Sequence, residues 1–290
     1  MIREIKGRTL LAHIARPDPW FGIKYNMNIY RGCQHQCIYC DTRSECYGIE
    51  DLADVLVKVN AIELLEDELP RKRVKGLIGT GSMSDPYTPV ERTYRLTGQA
   101  LEVIARLRFP LHLITKSDLV LRDVDTLAEI HRVRASVTFT ITTPHDDLSL
   151  RLEPGAPPSS RRFAALAALA ARGIETGVAM MPVLPWIEDS EEDVRAIVRR
   201  AHDCGARYVI PGFGLTMRDR QRAYYYQELD RLFPGMRERY ERTYGDRYSC
   251  PPESIRRLDA VFEELREQLG LERRVHPYVE EPAGTQLPLL

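Results

Sequence analysis

Apolar residues recur along the chain in two alternating rhythms, short continuous runs and longer stretches with helical spacing, and Gly or Pro marks the joins. Extended segments are predicted at 25–30, 74–79, 111–115, 135–141 (where SVTFTI alternates), 175–181 and 207–210. Helices are predicted at 51–69, 91–107 and 124–133, then from Ser159 and Ser160 as caps to a stop at Gly173, and at 190–204 with Asp189 or Ser190 as cap. Strands alternating with helices call for right-handed βαβ units and a parallel sheet. Six such units fall short of the eight of a closed barrel, so the expected fold is α/β, a partial (β/α)6 TIM-like barrel. Beyond Gly212 the pattern turns helical and highly charged, with helices at 218–232 and 254–269, and the tail EEPAGTQLPLL is expected to fray. The expected division is an N-terminal extension at 1–24, a barrel core at 25–215 and a helical C-terminal appendage at 216–290.

Composition narrows the function classes. At 290 residues, 43% hydrophobic and 29% charged, the chain has ordinary globular make-up, and its net charge of −1 gives no global basic field. Any nucleic-acid binding must then be local. No apolar run is long enough for a membrane span, and the first twenty residues lack the core of a signal peptide, so a cytoplasmic protein without a membrane partner is expected. Of the six cysteines, Cys33, Cys37, Cys40 and Cys46 crowd together while Cys204 and Cys250 stand alone. In a long chain read as cytoplasmic, such crowding points to metal or redox chemistry over a disulfide scaffold.

The crowded segment is YRGCQHQCIYC, residues 30–40. Three thiolates at these spacings on one loop reach three corners of an iron–sulfur cube and leave one iron open to a cofactor or substrate. The alternatives are a zinc site completed by His35 or Cys46, or a cluster with a fourth cysteine; a zinc motif normally has a second knuckle, and none is present. Small polar residues follow the predicted strands: GTGSMSDPY at 79–87, with Ser82 and Ser84, Lys116 in TKS, Thr140 and Thr142 in TITT, and Met181 in MMP. Ser, Thr and Gly are what loops ordinarily contain, but their occurrence at successive strand ends marks the C-terminal mouth of the barrel as the candidate site, with Ser82, Ser84, Lys116, Thr140, Thr142 and Met181 as cofactor-binding candidates.

The CxxxCxxC spacing with Tyr39 before the last cysteine resembles the signature of radical S-adenosylmethionine enzymes. Together with SDPYTPVE, ITKS, RLEPG and MPVLPWIED it is similar to the group related to spore photoproduct lyase, the DNA repair photolyase-like proteins, over residues 20–270. The resemblance implies that Cys33, Cys37 and Cys40 hold a [4Fe–4S] cluster, that S-adenosylmethionine chelates the open iron, and that an electron from a donor such as a flavodoxin or ferredoxin cleaves it to methionine and a 5′-deoxyadenosyl radical. It also implies cofactor contacts at Tyr39, Ser84, Lys116 and Thr140, and a radical taking hydrogen from an unidentified substrate. Two positions depart from the lyase. Ser82 and Asp41 stand where it has a hydrogen-donating cysteine and a tyrosine, which argues against the lyase's own relay and its thymine-dimer reversal.

Cys250 is a candidate thiol hydrogen donor or ligand if the appendage folds back over the mouth, or else a small buried hydrophobe. The appendage interleaves Arg218, Arg220, Arg222, Arg237, Arg239, Arg242 and Arg247 with tyrosines, as grooves for single-stranded nucleic acid do, but acidic residues mixed among them favour an ion-paired, solvated face. The reading from another class is a zinc- or cluster-stabilised nucleic-acid-binding protein without radical catalysis.

Overall fold

In the computed structural model, which describes residues 1–17 and 19–280, the elements follow in the order β1 (Ile2–Ile5), β2 (Leu11–His13), β3 (Tyr25–Met27), β4 (Tyr30–Arg31), β5 (Val55–Lys58), α1 (Ala61–Glu68), β6 (Ile78–Thr80), α2 (Glu91–Tyr94), α3 (Leu96–Arg106) and β7 (Leu111–Thr115). There follow α4 (Val124–His131), β8 (Ala135–Thr140), α5 (Asp146–Leu152), α6 (Ser159–Ala171), β9 (Glu175–Val183), α7 (Glu191–Asp203), β10 (Tyr208–Phe213) and β11 (Leu215–Thr216). The chain ends in α8 (Asp219–Leu232), α9 (Met236–Tyr244), β12 (Ser249–Cys250) and α10 (Ile255–Leu269).

The main sheet has seven strands in the order β10-β9-β8-β7-β6-β3-β2. From β3 to β10 every neighbour is parallel, and β2 caps one edge antiparallel to β3. Six parallel strands in chain order, open rather than closed, make the partial (β/α)6 barrel. The strands are buried on both faces, as βαβ packing requires; all six residues of β8 are buried. At the base of the barrel the Tyr208 ring lies across Gly177, where a Cβ would come within 2.1 Å of it, and the Tyr208 hydroxyl meets Ser136 and Thr138 of β8 at 2.7 and 2.6 Å.

Several predicted elements differ. The stretch predicted as one helix at 51–69 holds β5 and then α1. Val55 and Val57 are wholly buried in a second small sheet, between β1 in parallel and β4 antiparallel, and β-branched residues at period two favour that pairing over a helix. The single helix at 91–107 is broken at Arg95, which takes a left-handed conformation. Ser190 does cap α7, accepting the Asp193 N–H. Ser159 and Ser160 do not cap α6: Pro158 holds that place, the Ser159 hydroxyl donates to the Thr143 carbonyl at 2.7 Å, and the Asp146 carboxylate accepts the Ser160 N–H at 2.8 Å. Helices α5 and α9 and strands β1 and β2 were not predicted.

Beyond β11 the chain divides. Helix α10 joins the outer helical layer against α7, with ion pairs Arg257–Glu191 and Arg195–Glu264. Helices α8 and α9 instead cover the segment that follows β4: Arg220 donates to the carbonyls of Arg43 and Ile49, and Gln221 to that of Tyr39. Residues 281–290, which carry nearly all of the tail expected to fray, lie outside the described residues. Among the described residues, no helix is long and apolar enough to cross a membrane.

Candidate active site

The cysteine loop leaves β4 through Gly32, whose φ of +96° and close approach to residue 54 (a Cβ would sit 2.4 Å from the Asp54 carbonyl) admit only glycine. Two later segments then fix the loop. From the first, Thr88 accepts the Gln34 N–H at 2.9 Å, and Val90 N–H donates to the Gln34 side chain at 2.7 Å. From the second, the Leu152 carbonyl accepts the Ile38 N–H and the Gly155 N–H donates to the His35 carbonyl, both at 2.9 Å. Gly155 packs so tightly that a Cβ there would lie 2.0 Å from the Gln34 carbonyl. The SDPYTPVE and RLEPG stretches thus act as clamps on the loop.

So held, Cys33, Cys37 and Cys40 are free thiols lining one cavity of about 640 Å³ at the C-terminal ends of the strands. Burial pushes the Cys33 thiol up to about 12, with the Asp85 carboxylate adding to the effect, and burial also raises Cys37, opposed by the Lys116 ammonium. Such thiols stay protonated until a metal cation displaces the proton. Among the described residues no three His, Cys, Asp or Glu side chains are placed to hold a single metal ion. Three cysteine thiols on one cavity are the donor type that iron–sulfur clusters take.

The other candidates divide into two groups. Tyr39, Ser82, Ser84, Lys116, Thr140 and Met181 line the same cavity as the thiols. Ser84 is buried with its hydroxyl unpartnered, and Ser82 donates to the Asn26 side chain at 3.1 Å. An unmet buried hydroxyl at a cavity wall is a group with which a polar ligand can hydrogen-bond. Thr142 and Cys250 are not brought into the lining. The Thr142 hydroxyl donates to Glu188 at 2.6 Å beneath the wall, and Cys250 is wholly buried, its backbone paired with Leu215 and its thiol nearest the Arg247 carbonyl at 3.7 Å. Only its neighbour Ser249 reaches the cavity.

Three buried carboxylates that the sequence reading did not single out organise the site. Asp85 accepts from the Thr115 hydroxyl and the Lys116 N–H, both at 2.7 Å, and faces His35 Nε2 at 3.1 Å. Burial alone would raise it, but His35 and these donors win and hold it near 2. Glu153, wholly buried, receives the Tyr39 hydroxyl and lies between Arg162 and Lys116, the latter at 3.7 Å. Burial pushes it up, yet the two cations bring it below the usual carboxylate range. Glu188 has no ion-pair partner among the described residues, and burial raises it to about 8. The residues were in view within SDPY, RLEPG and WIED, but a charge in a loop motif reads as solvent-facing unless its partner is known.

The appendage arginines are mostly engaged within the fold. Arg218 clasps Asp41 with Nε at 3.1 Å, Arg222 meets the Gly245 and Arg247 carbonyls, and Arg237 bridges Asp230 and Glu241. The interleaved tyrosines 225 and 240 are buried against each other.

The sequence model of the radical SAM superfamily matches residues 27–201. An uncharacterized protein of Mycobacterium tuberculosis is 31% identical over 237 residues, covering 79% of this chain and 69% of its own length. One of Methanocaldococcus jannaschii is 36% identical over 173 residues, covering 59% of this chain and 64% of its own. Among solved structures, a spore photoproduct lyase with bound AdoMet and dinucleoside spore photoproduct superposes with a TM-score of 0.70 at 17% identity, covering 93% of this chain and 80% of that one, a likeness of fold.

Proposed function

Since the chain belongs to the radical SAM superfamily, we propose that its barrel mouth carries a [4Fe–4S] cluster on Cys33, Cys37 and Cys40 and binds S-adenosylmethionine above it, to act on a substrate admitted to the same cavity. When bound and reduced by a flavodoxin- or ferredoxin-like donor, this pair supplies a reductive cleavage that yields methionine and a 5′-deoxyadenosyl radical able to take a hydrogen atom from substrate. The observation that carries the reading is the convergence of three free thiols, an unpartnered buried Ser84 hydroxyl and the Lys116 ammonium on one cavity.

The chain's own residues position and balance charge. Burial works against the charge on Lys116, but the Glu153 carboxylate holds the ammonium in its charged form, where it offers a cation to a carboxylate. Asp85 fixes the 115–116 backbone and so aims that lysine. Tyr39, its hydroxyl anchored on Glu153, presents its ring to the cavity and suits an adenine face. Ser84 and Thr140 supply hydroxyls for ribose or carboxylate oxygens. Among the described residues Cys33, Cys37 and Cys40 are the cysteines that line the cavity, with Ser82 and Asp41 beside them, so this reading includes no cysteine relay of the lyase's kind. A reductant-fed, oxygen-sensitive centre fits a cytoplasmic setting.

The test is anaerobic reconstitution with iron and sulfide. Expected are about four irons per chain and visible absorbance, then 5′-deoxyadenosine on adding dithionite and S-adenosylmethionine. Absorbance and nucleoside release that survive replacement of Cys33, Cys37 and Cys40 by alanine would overturn the reading.

A further inference from the structure

A second, open groove of about 300 Å³ also reaches the cysteine loop. Its walls come from the two clamps and the residues that follow them: Pro89 and Arg92 from the first, Pro154, Pro158 and Arg161 from the second, together with Leu150 of α5, which is 45% exposed. His35 lines both this groove and the cavity of the thiols. It is 2% exposed, stands between Cys33 and Cys37 in the chain, and has its ring held between the Gly155 carbonyl at 3.0 Å and the Asp85 carboxylate at 3.1 Å. One buried, fixed side chain thus separates the outer groove from the cavity at this point. The charge on the groove has one sign. Among the described residues its lining includes no Asp or Glu, and both arginines are exposed. Arg161 pairs with Asp118 from outside the lining, whereas Arg92 has no ion-pair partner among the described residues. The prolines add apolar surface that loses no side-chain freedom when it is covered.

We propose that this groove docks an acidic ferredoxin that reduces the cluster, with Arg92 meeting its carboxylates and Leu150 and the prolines its apolar surface. The proposal rests on the radical SAM reading for the cluster and names the face at which the electron arrives. Electron transfer falls steeply with distance, so a carrier is best placed where a single side chain forms the wall, and the mouth is left to S-adenosylmethionine and substrate. In the step, the reduced ferredoxin loses one electron and the oxidised cluster gains it; no proton moves and no bond forms between the two proteins. A small patch suits such a partner, because electron-transfer complexes are weak and bury little area.

The probe is a purified acidic [2Fe–2S] ferredoxin, added to the oxidised, reconstituted protein. Titration calorimetry at low salt should show saturable binding, which Arg92→Glu weakens roughly tenfold or more and Arg92→Lys retains. Added salt should shrink the difference. Arg256→Glu serves as control, since Arg256 is exposed on α10 and lies beyond β10, across the sheet from β6 and the helix that carries Arg92; it should bind as wild type does. Pre-reduced ferredoxin should then reduce the [4Fe–4S] centre, followed by its EPR signal, more slowly in Arg92→Glu by a similar factor. Dithionite, which needs no docking, should reduce both equally. The proposal falls if wild type shows no saturable binding, if Arg92→Glu binds and is reduced as wild type is, if Arg256→Glu weakens binding as much, or if dithionite is slowed to the same degree. It also falls if a flavodoxin or a single-stranded oligonucleotide, and not the ferredoxin, proves to be the ligand whose binding depends on Arg92. Iron content and absorbance of the same samples report separately on the radical SAM reading: a chain that takes up no iron would reject that reading and the docking site together, whereas a full chromophore with Arg92 indifferent to ferredoxin would reject the docking site alone.

Discussion

Two tyrosines of the cysteine segment each end on a buried glutamate, and the two knots differ in what else they touch. Tyr30, just before the loop, donates to Glu91, which also accepts the Thr97 and Gly98 N–H groups at 3.0 and 3.3 Å and pairs with Arg122. Every partner belongs to the scaffold, and none lines the cavity. Tyr39, within the loop, donates to Glu153, whose cations are Arg162 in the interior and Lys116 at the cavity wall. The chemistry is the same in both places: burial penalises each carboxylate, and donors and cations offset it. The difference lies in location. Glu91 can only hold the fold together, whereas Glu153 also sets the charge that the cavity presents through Lys116.

Substitutions sharpen or break this contrast. Glu153→Gln leaves Arg162 buried without a counter-charge, for which the expected loss is about 3–5 kcal/mol in chemical denaturation, and cofactor binding by the reconstituted protein should weaken at the same time. Glu91→Gln is expected to cost less, about 2–3 kcal/mol, since Asp123 remains on Arg122 at 2.8 Å, and to leave cofactor affinity unchanged. Equal effects of the two on cofactor affinity would erase the distinction.

Glu188, with no ion-pair partner among the described residues, supplies the control. Its folded value of about 8 lies above the ordinary 4.5, so between these values the folded state keeps a proton that the unfolded chain has released. Its contribution to stability is fully present below about pH 4.5 and is lost as pH rises through about 8. Melting followed from pH 5 to 9 should show this loss, on the order of a few kcal/mol. Glu188→Gln, able to keep contacts with Thr142 and the Leu184 N–H, should flatten the profile. The smallest effect is expected for Tyr30→Phe, about 1 kcal/mol in the same denaturation assay, because Glu91 keeps its other partners.

The sequence carried the architecture where periodicity and local chemistry agree. The strand predicted at 111–115 is β7 to the residue, and Gly173 ends its helix with φ +76°. It misled where a short element sits inside a longer pattern: β5 disappears into a helical stretch because only its pairing with β1 and β4, both remote in sequence or across a loop, makes it a strand. Site residues followed the same division. That the three thiols, Ser84, Lys116 and Thr140 come to one cavity was legible because each lies at or just after the end of a strand. Thr142 lies only two residues after Thr140, yet the chain's turn sends it to Glu188. Asp85, Glu153 and Glu188 were not legible, since a buried carboxylate is recognisable only from donors elsewhere in the chain.

The clamps on the cysteine loop bear on how the protein is loaded. Thr88, Leu152 and Gly155 hold the loop backbone, and Val90 the Gln34 side chain, through contacts that involve no metal. On the proposed reading, the conformational entropy of arranging the three thiols is spent during folding of the polypeptide, not at the moment iron and sulfide arrive. Maturation would then be a matter of delivery through an open mouth, and a chain stripped of its inorganic core by oxygen would keep a mould into which a fresh one can be set.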